Sequence, residues 1–166
     1  MHIELTPIGT VVGGRAVADD DGWAAEVCEI RLDGDRFVPS ALEGLDTFSH
    51  VEVVFLFHEV DESDVVATAR RPRGRSDWPL VGIFAQRGRV RPNRLGVSVA
   101  RLLGVDGLSV RLQGLDAIDG TPVLDLKPVM SGFLPRGEIV EPAWATELMA
   151  GYWTGDQLDN PPDPLT

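Results

Sequence analysis

His50-Val51-Glu52-Val53-Val54-Phe55-Leu56-Phe57-His58-Glu59-Val60 is the longest apolar run in the chain. It is too rich in β-branched and aromatic residues, and too little patterned, for a helix, so it is expected to be a central strand buried on both faces. Around it lie shorter segments with the same bias. Ala25 to Leu32 alternates, with Cys28, Ile30 and Leu32 on one face and Glu29 and Arg31 on the other. Leu108, Val110 and Leu112 alternate with Ser109, Arg111 and Gln113. Ile3 to Val12, Pro79 to Ala85, Val97 to Val105 and Val123 to Leu126 complete the set, with Leu80 to Ala85 and Val97 to Val105 either two strands or one strand and one short helix. Short strands at this spacing, with Gly and Pro between them, predict a mainly β fold, a small single-domain barrel or sandwich. No alternation of strand and long helix points to a doubly wound sheet.

The connections carry their own signals. Asp33-Gly34 reads as a hairpin turn leading into Arg36-Phe37-Val38. Ser40 to Leu45 reads as one helical turn capped by Ser40. Asp19-Asp20-Asp21-Gly22 is a turn, read as a solvated loop rather than a metal site because no further carboxylate pattern follows. Asp61 to Ser76 is a long polar connection, of the kind that is functional or mobile. Pro142 opens a short C-terminal helix running to about Ala150, with Trp144, Leu148 and Trp153 available for docking. Residues 1–153 form the expected domain, and 154–166, rich in Asp and Pro, a loosely held tail.

At 166 residues the chain is long enough to bury a core without staples. Its one cysteine, Cys28, excludes an internal disulfide and any multi-cysteine metal site. No run approaches the roughly 18 apolar residues that cross a bilayer, and Met1-His2-Ile3-Glu4 has no signal-peptide pattern, so the cytoplasm is the expected compartment. The net charge of −11 argues against indiscriminate nucleic-acid or DNA binding. Residues 70–94 nevertheless hold eight arginines against one acid, Asp77. A basic segment on an acidic protein suits a localised anionic ligand. Within it, Arg87, Arg89, Arg91 and Arg94 fall in a loop punctuated by Gly88, Pro92, Asn93 and Gly96. Such a loop at a strand end either presents guanidinium forks to carboxylates or phosphates, or is an ordinary solvated surface.

Three stretches in order, Leu45 to His58, Gly82 to Ser98, and Gly114-Leu115-Asp116-Ala117-Ile118-Asp119-Gly120-Thr121-Pro122-Val123-Leu124-Asp125-Leu126-Lys127-Pro128, resemble the TsaA/TrmO-like family of S-adenosylmethionine-dependent methyltransferases. The resemblance spans roughly Ile8 to Trp153. It implies a β-barrel enzyme with S-adenosyl-L-methionine as cofactor, N-methylating a threonylcarbamoyl-adenosine of tRNA. A small-molecule methyl acceptor, or a non-catalytic adenosylmethionine-binding module, are the alternatives. It further implies a homodimer, and cofactor contacts at His58, Glu59, Arg87, Val97, Leu115, Asp116, Ala117, Ile118 and Asp119; Phe84, with Val97, offers an apolar wall for the cofactor by its residue type. In that reading Arg87 clamps the cofactor carboxylate, Asp116 and Asp119 accept from its ammonium or ribose, and backbone groups of Ala117 and Ile118 read adenine. Taken alone, Asp116 to Gly120 is a plain turn.

Arg89, Arg91 and Asn93 are candidates for the acceptor substrate. Asp125 and Lys127, two apart on one strand, share a face and either orient the acceptor or pair with each other. No metal is required by an in-line methyl transfer, which asks mainly for alignment. The chain also departs from the family pattern. Ala85-Gln86-Arg87-Gly88-Arg89 stands where many relatives have Ala-Thr-Arg-Ser-Pro. Asp21-Gly22-Trp23 replaces a Pro-Arg-Gln element, and Val129 replaces a frequent tyrosine. The further C-terminal tRNA-binding domain of longer members is expected to be absent. The cofactor half is thus expected to be kept and the acceptor half altered.

Overall fold

A computed structural model describes residues 2–155. The central feature is a closed barrel of β1 (Gly9–Val12), β2 (Val27–Leu32), β3 (His50–Leu56), β6 (Leu95–Asp106), β7 (Ser109–Gln113) and β8 (Pro122–Pro128). Its order around the wall is β1-β2-β7-β6-β3-β8, every neighbouring pair antiparallel. The expectation of a mainly β, single-domain barrel is met. Alternation explains why: Val11, Ile30, Val51, Val53, Phe55, Val110, Leu112 and Val123 all turn inward and are buried, while their neighbours face out. Closure removes the free sheet edges that an open arrangement of such short strands would expose.

Several boundaries differ from the sequence reading. β3 ends at Leu56, and its outward residues are half-buried rather than fully covered, because the barrel has one interior and not two packed faces. Ile3 to Ile8 contributes no strand; only Gly9–Val12 pairs. Arg36 to Val38 forms no hairpin arm. Two 3₁₀ turns, Pro39–Leu42 and Leu45–Thr47, follow instead, and Val38 rather than Ser40 stands at the first cap with no side-chain bond. Val97 to Val105 lies wholly within the single long strand β6.

The 57–94 segment builds an annex on the barrel. β4 (Ala69–Arg70) and β5 (Val81–Gly82) pair with each other only. The expected strand from Pro79 to Ala85 is therefore just Val81–Gly82, followed by a 3₁₀ turn at Ile83–Ala85. Ile83 is the residue that this segment buries, in a small cluster with Val60 and Val90. Leu80 and Phe84 are exposed, so apolar content did not translate into a buried strand.

The C-terminal helix α1 (Ala143–Met149) forms as expected, with Pro142 at its cap position rather than at its first turn. It docks through half-buried Trp144 and Leu148 and a hydrogen bond from the Trp78 indole to Glu147 (2.8 Å). The greater part of the expected tail, 156–166, lies outside the described residues.

Candidate functional site

Antiparallel closure brings the C-terminal ends of β1, β3 and β7 and the N-terminal ends of β2, β6 and β8 to one end of the barrel. The three stretches singled out in the sequence all meet this end. His58 and Glu59 follow β3, Arg87 to Asn93 precede β6, and Leu115 to Asp119 cross from β7 to β8. A cleft of about 430 Å³ opens there, lined by His58, Glu59, Val60, Asp61, Glu62 and Arg94. The Asp119-Gly120 turn borders it: a Cβ at Gly120 would lie 3.7 Å from His58 Nε2. Arg87, Asp116 and Asp119 are not among the cleft's lining residues.

The β7–β8 connection is anchored from both sides. Leu115 and Ala117 are buried members of the core, so what these two can offer a ligand is backbone. Ile118 is buried as well. Asp119 accepts from the Gly13 amide (2.8 Å) through Oδ1, and its own amide donates to the Arg15 carbonyl (2.8 Å). Asp116 is half-buried and accepts from the Tyr152 hydroxyl (2.5 Å) through Oδ2. Its Oδ1 is buried and meets no hydrogen-bond partner among the described residues. An acceptor left that way costs roughly 1–3 kcal/mol, so it marks a place where a donor fits.

The arginine loop behaves differently from the simple anion cradle its composition suggested. Arg87 donates to the Val97 carbonyl (2.5 Å), Arg91 to Gln86 (3.1 Å) and Arg94 to Val60 (2.7 Å). Gln86 and Val60 lie outside the strands, so two of these guanidinium groups satisfy carbonyls that no sheet partner reaches, while the third bonds to Val97 on β6. Arg87 is nevertheless exposed, and a single carbonyl leaves further N–H groups of its fork for an anion. Phe84 is 78 % exposed beside it in sequence, and Val97 39 % exposed on β6. Arg89 and Asn93 are, respectively, half-buried and exposed. Asp125 and Lys127 point outward from β8 and form an ion pair with each other, both substantially exposed. Of the two sequence readings for that pair, mutual pairing is the one realised.

The acidic triplet is also more than a solvated turn. Asp21 is gripped by the Arg73 fork at 2.6 and 2.8 Å, with Asp20 at 3.7 Å, and the Arg73 side chain is only 9 % exposed. Among the described residues, Arg73 and Arg94 are the two non-glycine residues at positive φ, 49° and 51°. Each holds this sparsely populated conformation where its own guanidinium ties two segments together. Tyr152 makes a contact that no motif in the sequence points to. The signal was available, since it is the one tyrosine in the chain, but nothing in the sequence joins it to Asp116.

A closed six-stranded barrel with its long connections gathered at one end, beside a buried carboxylate oxygen, defines a small β-barrel domain with a candidate ligand site at that end. The tRNA-methyltransferase O N-terminal domain model matches residues 19–133, and the chain belongs to that family. It is 44 % identical over 103 residues to a putative S-adenosylmethionine-dependent methyltransferase, RcsF, of Pseudomonas aeruginosa, covering 62 % of this chain and 42 % of that protein. It is 38 % identical over 110 residues to the tRNA (adenine(37)-N6)-methyltransferase of Escherichia coli, covering 64 % and 45 %. A probable S-adenosyl-L-methionine-binding protein of Methanothermobacter thermautotrophicus is 35 % identical over 132 residues, 77 % of this chain and 90 % of the relative. A crystal structure of TrmO from Pseudomonas aeruginosa superposes with a TM-score of 0.70 at 30 % identity, covering 87 % of this chain and 62 % of that one. The chain thus spans less than half the length of the first two relatives.

Proposed function

We propose that this domain binds S-adenosylmethionine at the β7–β8 end of the barrel and transfers its methyl group to an adenosine nitrogen of tRNA. The observation that carries the reading is the buried Oδ1 of Asp116, without a hydrogen-bond partner among the described residues and inside the family-matched stretch. It suits a cationic or hydroxyl donor such as the cofactor's ammonium or ribose. Bound adenosylmethionine supplies an electrophilic methyl on a sulfonium. The chain's own part is to bind, orient and exclude water. Arg87 takes the carboxylate with the N–H groups not engaged by Val97. Asp119 keeps the turn in place through Gly13, and the backbone at Ala117 and Ile118 faces adenine. Phe84 and Val97 form an apolar wall, with His58 and Glu59 closing the β3 side. Arg89, Arg91 and Asn93 are assigned to the acceptor, toward the basic 70–94 segment. Asp125 and Lys127 neutralise each other, so neither is assigned as a base; as the N–CH3 bond forms and the S–CH3 bond breaks, the N–H proton of the acceptor nitrogen passes to solvent and S-adenosylhomocysteine leaves. Threonylcarbamoyl-adenosine is the specific acceptor this reading favours, and a cytoplasmic setting follows from that substrate.

A second reading, a binding module without turnover, is favoured by the archaeal relative, which the chain nearly spans and which is named only for adenosylmethionine binding. We also assign the outward face of β6, where Val97, Val99 and Leu103 are exposed, to a second copy of the chain. Light scattering checks that dimer.

Calorimetric titration with adenosylmethionine is expected to give one site per chain, and Arg87→Ala to weaken it by roughly 1.5–3 kcal/mol as a charge-assisted bond is lost. Labelled methyl is expected to pass to total tRNA. Binding without transfer to tRNA or to any small acceptor in a host extract would establish the second reading instead.

A further inference from the structure

Asp116 is flanked in sequence by two core residues, Leu115 and Ala117, and its carboxylate meets the C-terminal segment. That segment is fixed in turn. The Gly22 amide donates to the Tyr152 carbonyl (2.7 Å), the Ala24 amide to the Trp153 carbonyl (2.9 Å), and the Tyr152 ring meets Trp153 edge-on at 5.1 Å. The Tyr152 phenol is pushed up, by burial first and then by the Asp116 charge, so at neutral pH it can only be a donor to that carboxylate. Arg73, whose charge also reaches Tyr152, is itself held by Asp21 at 2.6 and 2.8 Å. One oxygen of Asp116 is therefore held by the Tyr152 hydroxyl, while the other is buried and meets no hydrogen-bond donor among the described residues.

We propose that Tyr152 is a positioning residue for the ligand site: by holding Oδ2 of Asp116 it presents Oδ1 as a fixed acceptor for a donor group of the bound nucleoside, either the α-ammonium or a ribose hydroxyl. The proposal rests on the adenosylmethionine reading above. It also gives the C-terminal segment a part in binding that its distance in sequence from the three family stretches conceals.

Tyr152→Phe keeps the ring and removes only the hydroxyl. Titrated with adenosylmethionine well below its melting temperature, this variant is expected to bind about tenfold more weakly, the loss of one charge-assisted bond. In an Asp116→Ala background the same change is expected to add nothing, because the two residues act through one acceptor. 5′-Methylthioadenosine, which has the ribose but no amino acid, distinguishes the donors. An equal loss with it assigns the ribose hydroxyl, and no loss assigns the ammonium. If Tyr152→Phe does not fold, Asp116→Asn reads the same acceptor and is expected to weaken adenosylmethionine binding. Wild-type protein that binds while Tyr152→Phe, or in its place Asp116→Asn, binds equally well overturns this inference alone. Wild-type protein that does not bind adenosylmethionine overturns the functional reading and this inference with it.

Discussion

Phe55 and Gly96 face each other across β3 and β6, and a Cβ at Gly96 would fall into the Phe55 ring. That ring is buried and already meets Phe57 edge-on at 5.2 Å, so it has little room to move aside. Gly96→Ala is expected to destabilise the fold by about 1–3 kcal/mol through overpacking. A lower urea midpoint with an unchanged slope would register this. Gly82→Ala is the control, since nothing lies near its Cβ position and its φ of −60° suits any residue. Cys28 makes a second case at this scale. Burial, then the charges of Glu26 and Glu29, push its thiol up from 9.0 to about 11. The folded chain keeps this proton where the unfolded chain releases it. Its contribution to stability is therefore whole below pH 9 and lost as pH rises toward 11. At about 1.4 kcal/mol per pH unit the loss is roughly 3 kcal/mol. Cys28→Ala is expected to flatten that part of the pH–stability curve, whatever it costs at neutral pH, and an unchanged slope would refute the assignment.

At the scale of elements, what the sequence disclosed followed from periodicity. β2 and β7 were legible because a period of two with one buried face has few competing explanations. The Leu80 to Ala85 segment was not, since an apolar run of that length is compatible with a strand, a 3₁₀ turn or an exposed loop. What decided it was a tertiary contact: Ile83 anchors the annex beside Val60 and Val90, and its neighbours are left outside. The same limit applies to the candidate site. The family-like stretches told which segments gather, and they do gather at one barrel end. Residue type could not tell which acceptor each arginine would take. Arg87, Arg91 and Arg94 bond to backbone carbonyls, whereas Arg73, in the same basic 70–94 segment, forms a largely buried ion pair with Asp21. The Tyr152–Asp116 bond spans 36 positions, and its detection needs the fold itself.

Across the whole molecule the barrel wall is uneven, and its weak seam lies next to the candidate site. β3 pairs with β6 along its full length from His50 to Leu56. β1 meets β8 only at Gly9↔Val123 and Thr10↔Pro122, and Pro122 brings no amide to the ladder. Two further bonds help to hold that seam, Ile8 N to Val123 O (2.7 Å) and Val11 N to Thr121 O (2.9 Å). The same end of β1 is clasped by the β7–β8 connection, through Gly120 N to Val11 O (2.9 Å) and Gly13 N to Asp119 Oδ1 (2.8 Å). Local opening there breaks few bonds, so the Ile8, Val11 and Gly13 amides are expected to exchange with deuterium at least tenfold faster than the core amides of β3. A ligand held by Leu115 to Asp119 binds only the closed seam and must slow these amides by the factor that its concentration over its dissociation constant sets. Adenosylmethionine is accordingly expected to protect Gly13 and Gly120 selectively while leaving the protection of Val53 nearly unchanged. Uniform protection across the barrel would mean that the ligand senses only global unfolding, and that the β1–β8 seam does not open on its own.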